Sequence, residues 1–413
     1  MSSDPVDPAA LDRLAEVAVR TGLNLREGQD LILTAPVEAL PLVRRVAAAA
    51  YRAGANLVTP ILSDPEVALA RYAHARDESF DTAPGWLYDG MATAFGNDTA
   101  RMAIVAEDPM LMAEQDPAKV SRAGKANSIA YKPALERIAT FKINWTIAAY
   151  PGRQWAMRMF PDMDPDAAQA KLAEAIFAAS RVTDDNAVAN WAEHNARLAE
   201  RTDWLNGHRF RALKYSGPGL DLTVGLADGH EWMGGASRAG NGIVCNPNIP
   251  TEEVFTTPHA AMTEGRVRAT KPLSHQGSLI DGIEVEFREG RIVEARATKG
   301  EAVLRELIAT DEGAARLGEV ALVPHSSPIS QSGLLFYNTL FDENAACHIA
   351  LGQCYSKCFV DGDTLTPAEV EERGGNSSMI HVDWMIGGPE TDIDGIAEDG
   401  SVTPVFRKGE WTI

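Results

Sequence analysis

The chain has 413 residues, of which 45% are hydrophobic and 23% charged, and its formal net charge is −20. That length suffices for two or three domains with substantial cores. The acidic balance, with no basic run, excludes a nucleic-acid backbone as the natural partner, and the lack of an 18-residue apolar run excludes a transmembrane helix and a membrane role built on one.

In chain order, residues 8–22 predict an amphipathic helix and residues 30–34 (DLILT) a short apolar strand. Residues 41–53 predict a helix with Leu42, Val43, Val46 and Tyr51 near one face and Gly54 as its stop. A strand at 56–62 and a helix from 65 to 72 follow, then strands at 103–106 and 141–149, then helices at 165–180 and 186–206. Strands alternating with helices indicate an α/β N-terminal domain, residues 1–206, with an open, largely parallel sheet. It carries no G-x-G-x-x-G opening a helix and no G-x-x-x-x-G-K-[ST], so dinucleotide and NTP binding are not expected.

The texture changes near Gly207. Strand-like pieces succeed one another at 210–215, 220–226, 267–269, 280–287 and 291–298, with a Gly-containing hairpin turn inside 286–292. A helix at 301–310 is followed by strands at 319–323, 348–351, 380–386 and 402–406. Residues 207–413 therefore read as an α+β C-terminal domain with mixed or antiparallel sheets. The N-terminus lacks a basic segment followed by an apolar core, so no signal peptide is expected. Cys245, Cys347, Cys354 and Cys358 form no secreted disulfide framework. They are expected to be buried thiols rather than ligands, and a cytoplasmic location follows.

The segment Ser378–Gly387 carries the most chemical information. As a strand it turns Ile380, Val382, Trp384 and Ile386 to one face and His381 and Asp383 to the other, roughly 7 Å apart. An imidazole beside a carboxylate on a rigid element is a candidate metal-ligand pair. Read alone, it is equally an aspartate orienting a histidine, or a solvated edge strand. Upstream, Glu253 lies in a Pro-flanked extended piece whose neighbour Glu252 must point the other way. Glu319 opens an apolar strand. Glu343 and His348 are five apart and converge only if the chain turns between them. Tyr355 offers a phenol that can bind an oxyanion. Each of these has a plainer reading as a surface charge or core residue. Together, four carboxylates and two imidazoles exceed the needs of one cation and suit two divalent ions sharing a carboxylate. That chemistry is hydrolysis by a water activated between the ions. H-E-x-x-H and G-x-S-x-G are absent.

With PTEEVFTTP (250–258), LGEVALVP (317–324), LFDENAACHIALGQCY (340–355), SSMIHVDWMIGG (377–388) and the entry LDRLAEVAVRTGLNLREGQDLIL, the chain resembles the thermophilic-type metalloaminopeptidases, the family of aminopeptidases T and S. The resemblance implies a C-terminal catalytic domain holding two divalent ions (zinc, cobalt, manganese or magnesium) on Glu253, Glu319, Glu343, His348, His381 and Asp383. Glu319 is expected to bridge the ions, Tyr355 to assist the transition state and Glu252 to act as a base behind the ligands. The implied reaction is release of the N-terminal residue from peptides with a free N-terminus, by a homodimer with enclosed active sites. Two other readings remain: another amidase or dipeptidase using the same two ions, and a metal-binding protein without turnover.

Overall fold

The computed structural model describes residues 5–275 and 278–413. By its internal contacts the chain divides into two compact units. One comprises Met1–His194 and Ala236–Pro250, the other Asn195–Gly235 and Thr251–Ile413.

In the first unit four strands, β1 (Leu31–Pro36), β2 (Val58–Ser63), β3 (Ala100–Val105) and β4 (Trp145–Ala149), form a parallel sheet in the order β2-β1-β3-β4. Helices cover both faces. Leu31 and Leu33 are buried on one side, while Ile32 joins Met91, Phe95, Ala134, Ile138 and Ile143 on the other. Such strands need apolar residues throughout, which is why DLILT lacks alternation. Four helices, Pro8–Val17, Pro65–His74, Pro117–Ala139 and Pro165–Ala179, begin at an Asp-Pro pair. The aspartate side chain accepts an early helical N–H, and the proline fixes the first turn where no N–H is needed. The segment Ala236–Pro250 returns to this unit beside β4: Ile147 donates its N–H to the Pro247 carbonyl and accepts from Ile249.

In this unit the helices Gly85–Gly96, Pro117–Ala139 and Arg153–Met159 arise where no element was expected. The longest, Pro117–Ala139, buries only Ala123, Ala134 and Ile138 and carries Pro133 in its interior, so its apolar stripe is faint. No helix among the described residues is long and apolar enough to cross a membrane.

Among the described residues the second unit holds antiparallel sheets of eight, five and two strands. The predicted hairpin joins Glu284–Arg288 to Arg291–Arg296. Glu289 and Gly290 both take positive φ there, and a Cβ on Gly290 would lie 1.9 Å from the Ala260 carbonyl oxygen. Strands Pro258–Arg268 and Asp392–Ile396 extend the larger sheet beyond the expected pieces. The five-stranded sheet runs, edge to edge, His381–Met385, His348–Gly352, Leu317–Leu322, Val254–Thr256 and Met233–Gly234. One face of this sheet, with Val254, Val320, Leu322, Ile349, Leu351, Val382 and Trp384, enters the core that the larger sheet also lines. A two-residue period on each strand therefore commits the alternate residues to the opposite face.

Candidate metal centre

The register of the five-stranded sheet builds the site on that opposite face. Glu319 pairs with Ala350, and Ala350 with Asp383. One row further, Ala321 pairs with His348, and on the other side Gly352 pairs with His381. Directly opposed residues project to the same face. The middle strand thus places small residues, Ala350 and Gly352, beside Glu319, Asp383 and His381, and the larger side chains close over them. Phe255 pairs with Ala321, so it lies on this face, as does Glu253 two residues earlier in the same extended chain.

These residues converge. His348 Nε2 lies 3.1 Å from Glu253 Oε2 and 3.8 Å from Glu319 Oε1. His381 Nε2 lies 3.3 Å from Glu319 Oε2 and 3.5 Å from Asp383 Oδ1. Two ligand groups result, Glu253–Glu319–His348 and Glu319–His381–Asp383, each with its donor atoms within 4.8 Å of one another. Glu319 belongs to both and turns one oxygen to each histidine.

The other ring nitrogens are held by backbone carbonyls: His348 Nδ1 lies 3.1 Å from the Ala346 oxygen and His381 Nδ1 2.7 Å from the Gln353 oxygen. A carbonyl only accepts, so each Nδ1 carries the proton and each Nε2 of a neutral ring presents a lone pair to the carboxylates. Lone pairs facing lone pairs at 3 Å require a cation or a proton between them. Glu253 Oε2 is buried without a hydrogen-bond partner, which makes the same point. Ligands held about 2.0–2.2 Å from a tetrahedral ion stand roughly 3.3–3.6 Å apart, and the separations here bracket that range. The residues fit divalent ions.

Electrostatics agree with this crowding. Burial raises the pKa of Glu253, against the opposing pull of His348. Burial, then Glu253 and Asp383, holds Glu343 well above the carboxylate range. Burial disfavours the charged imidazoles, but Glu253 and Glu319 outweigh it at His348, and Asp383 and Glu319 outweigh it at His381; both are held well above the usual histidine value. For Asp383 burial acts upward, and His381 then brings it below the ordinary value.

Glu343 follows the short helix Thr339–Asp342, in a 3-10 turn that reverses the chain ahead of His348. It lies outside the two tight groups but shares with Asp383 the wall of a cavity of about 20 Å³, the size of one water. Tyr355 lies against the His381 ring at 4.7 Å, tilted by 50°, and meets the Phe255 ring edge-on at 6.0 Å. Its ring is half-exposed, while desolvation and the charges of Glu319, Asp383, Glu343 and Glu253 hold its phenol well above the ordinary value. Glu252 is buried, donates its backbone N–H to Asn344 Oδ1 at 2.7 Å, and acts electrostatically on Arg201. It is not in either ligand group. The four cysteines are free and buried, as expected.

Sequence reasoning passed over Ala350, Gly352, Phe255 and the carbonyls of Ala346 and Gln353. The small residues at every second position of His348–Gly352 were a legible signal for a floor. The carbonyls carry none, because every residue has one.

Residues 8–411 match the thermophilic metalloprotease family, M29. Aminopeptidase T of Thermus thermophilus is 52% identical over 403 residues, covering 98% of both chains. Aminopeptidase 2 of Geobacillus stearothermophilus is 43% identical over 401 residues, covering 97% of each. The solved structure of wild-type AmpT from Thermus thermophilus superposes with a TM-score of 0.93 at 51% identity, covering 98% of this chain and 99% of that one. With a full-length family match, close full-length relatives and a shared fold, the chain belongs to the thermophilic metalloprotease family, M29, as an aminopeptidase T-like enzyme.

Proposed function

We propose that this metalloprotease removes N-terminal amino acids from peptides with a pair of divalent ions, one held by Glu253, Glu319 and His348 and the other by Glu319, His381 and Asp383. The observation that carries the pair is Glu319, whose two oxygens face different histidines. The second unit is then the catalytic one. Glu343 stands at the edge of the site, outside both ligand groups. Mixed imidazole and carboxylate ligands favour zinc, cobalt or manganese over magnesium.

When bound, such ions supply Lewis acidity, lowering the pKa of a water and polarising a carbonyl. The chain's own residues do the rest. Ala346 and Gln353 fix the histidine tautomers. Tyr355, whose neutral phenol is favoured by burial and by the carboxylates around it, donates a hydrogen bond toward the developing oxyanion. A buried carboxylate with a raised pKa takes the proton from water and returns it to the leaving amine. Glu343, which lines a water-sized cavity with Asp383, is placed for that role, whereas Glu252 acts on Arg201. Surplus carboxylates at the site attract a protonated α-amine, which selects peptides with a free N-terminus.

Homodimer assembly is part of this reading, supported by exposed apolar side chains such as Trp86, Val67 and Ile129. Four free cysteines fit a reducing, cytoplasmic compartment. The deciding experiment is hydrolysis of aminoacyl-p-nitroanilides and their N-acetylated forms by metal-stripped protein with single divalent ions added back. Turnover restored by metal and confined to free amines is expected. Equal turnover of acetylated substrates would overturn the aminopeptidase reading.

A further inference from the structure

We propose that Gln353 is a positioning residue for His381, an inference that rests on His381 being a metal ligand. Gln353 leaves the His348 strand just after Gly352 and meets the chain entering the His381 strand at three points. Its backbone N–H donates to the Ile380 carbonyl at 2.7 Å. Its carbonyl accepts from His381 Nδ1 at 2.7 Å. Its side-chain Oε1 accepts from the Ser378 N–H at 3.0 Å, while Nε2 donates to the Cys354 carbonyl at 3.0 Å. The Ser378 partner only donates and the Cys354 partner only accepts, so the amide has one workable orientation.

The chain around this residue is pinned from behind. Asn376 Nδ2 donates to the Gly352 and Gly313 carbonyls, at 2.6 and 2.8 Å. Asp311 accepts from the Met379 N–H at 2.6 Å and from the Ser378 hydroxyl at 2.8 Å. Gly352 has φ +103, and a Cβ there would lie 2.1 Å from the Ile380 oxygen. The two chains therefore approach more closely than any other residue would permit.

His381 lies on the edge strand of its sheet, with a neighbouring strand on one side only. Its ring is held by the Tyr355 ring packed against it and by the carbonyl that Nδ1 meets, and the Gln353 amide helps hold that carbonyl in place. Holding Nδ1–H against a fixed acceptor aims Nε2 at the site and keeps it unprotonated when metal binds.

The test measures cobalt(II) affinity of metal-stripped protein by competition with a chelating dye, together with the visible ligand-field band of the loaded protein. Gln353→Met removes both side-chain hydrogen bonds at similar size; Gln353→Glu keeps the acceptor for Ser378. Loss of an outer partner of a metal-binding histidine typically weakens binding about 10–100-fold. Gln353→Met keeps the carbonyl and frees only its direction, so the expected result is a loss of more than twofold but short of that range, with a shifted band, a smaller loss for Gln353→Glu, and an unchanged KM at saturating cobalt. Asp392→Ala, which removes the acceptor of the Lys408 N–H in the larger sheet, serves as a stability control. It should lower the Tm and leave the cobalt affinity and band unchanged. Gln353→Met with affinity within twofold of wild type overturns the proposal. So does a control that loses cobalt affinity in proportion to its Tm. His381→Ala run in parallel separates the two claims: wild-type affinity there overturns the ligand assignment itself, whereas loss there with Gln353→Met unchanged overturns only the role of Gln353.

Discussion

Loading the metal-free protein with a divalent ion should expel protons, and the number is set by the site. Each imidazole lies among carboxylate donors no more than 4.8 Å away. At that distance an imidazolium–carboxylate attraction is worth about 3.5 kcal/mol at an effective dielectric near 20. It outweighs burial at both histidines and holds them well above the usual value. At pH 6.5 the metal-free site therefore carries a proton on each of His348 and His381, and a metal needs both Nε2 atoms free. If the proposed pair of ions binds, loading should release at least the two imidazole protons, with any further release coming from Glu343 and Glu253, whose pKa values burial also raises, and affinity should rise roughly tenfold, about 1.4 kcal/mol, per pH unit for each proton displaced. Calorimetric titration of cobalt(II) in two buffers of different ionisation enthalpy reads the number directly. The same linkage acts on stability. The raised histidine pKa values give the metal-free protein stabilisation that is full below about pH 6.5 and is lost as pH rises through the folded values. The lowered Asp383 value contributes stability present above about pH 3.9 and so constant over this window. Metal-free protein should melt lower at pH 8.5 than at pH 6.5, while loaded protein should not. A buffer-independent binding enthalpy at pH 6.5 would refute the reasoning.

Ala350→Leu should disable the site without touching a ligand. Ala350 is fully buried between Glu319 and Asp383, and the added atoms push those carboxylates apart. Stability should fall by about 1–3 kcal/mol while metal binding is lost, seen by denaturant titration and dye competition; retained metal affinity would show that the floor is not needed. The thiols should be inert in the native state, because burial pushes Cys347 and Cys354 up to about 11 and holds Cys358 well above the ordinary thiol value. An aromatic disulfide reagent at pH 8 should titrate four thiols in denaturant and almost none without it; rapid native labelling would contradict their burial.

Local signals were read well where the physics is local. The hairpin at Glu289–Gly290 shows in its glycine, and the helix Leu40–Arg52 in its apolar spacing. The helix Pro117–Ala139 has the same Asp-Pro start as three others, yet its weak apolar stripe and Pro133 hid it. At the site, the titratable residues announced themselves by chemistry, because a carboxylate or imidazole among apolar residues needs a reason. Ala350 and Gln353 did not, since an alanine carries no chemistry and a carbonyl no identity.

The sequence by itself determined which residues could be ligands and which face of each strand they occupy, because side-chain direction alternates with period two and depends only on near neighbours. Only the tertiary structure decided that Glu319, Ala350 and Asp383 stand in one row. Strand order and register are set by pairing between distant segments, and a slip of one residue would turn every ligand into the core.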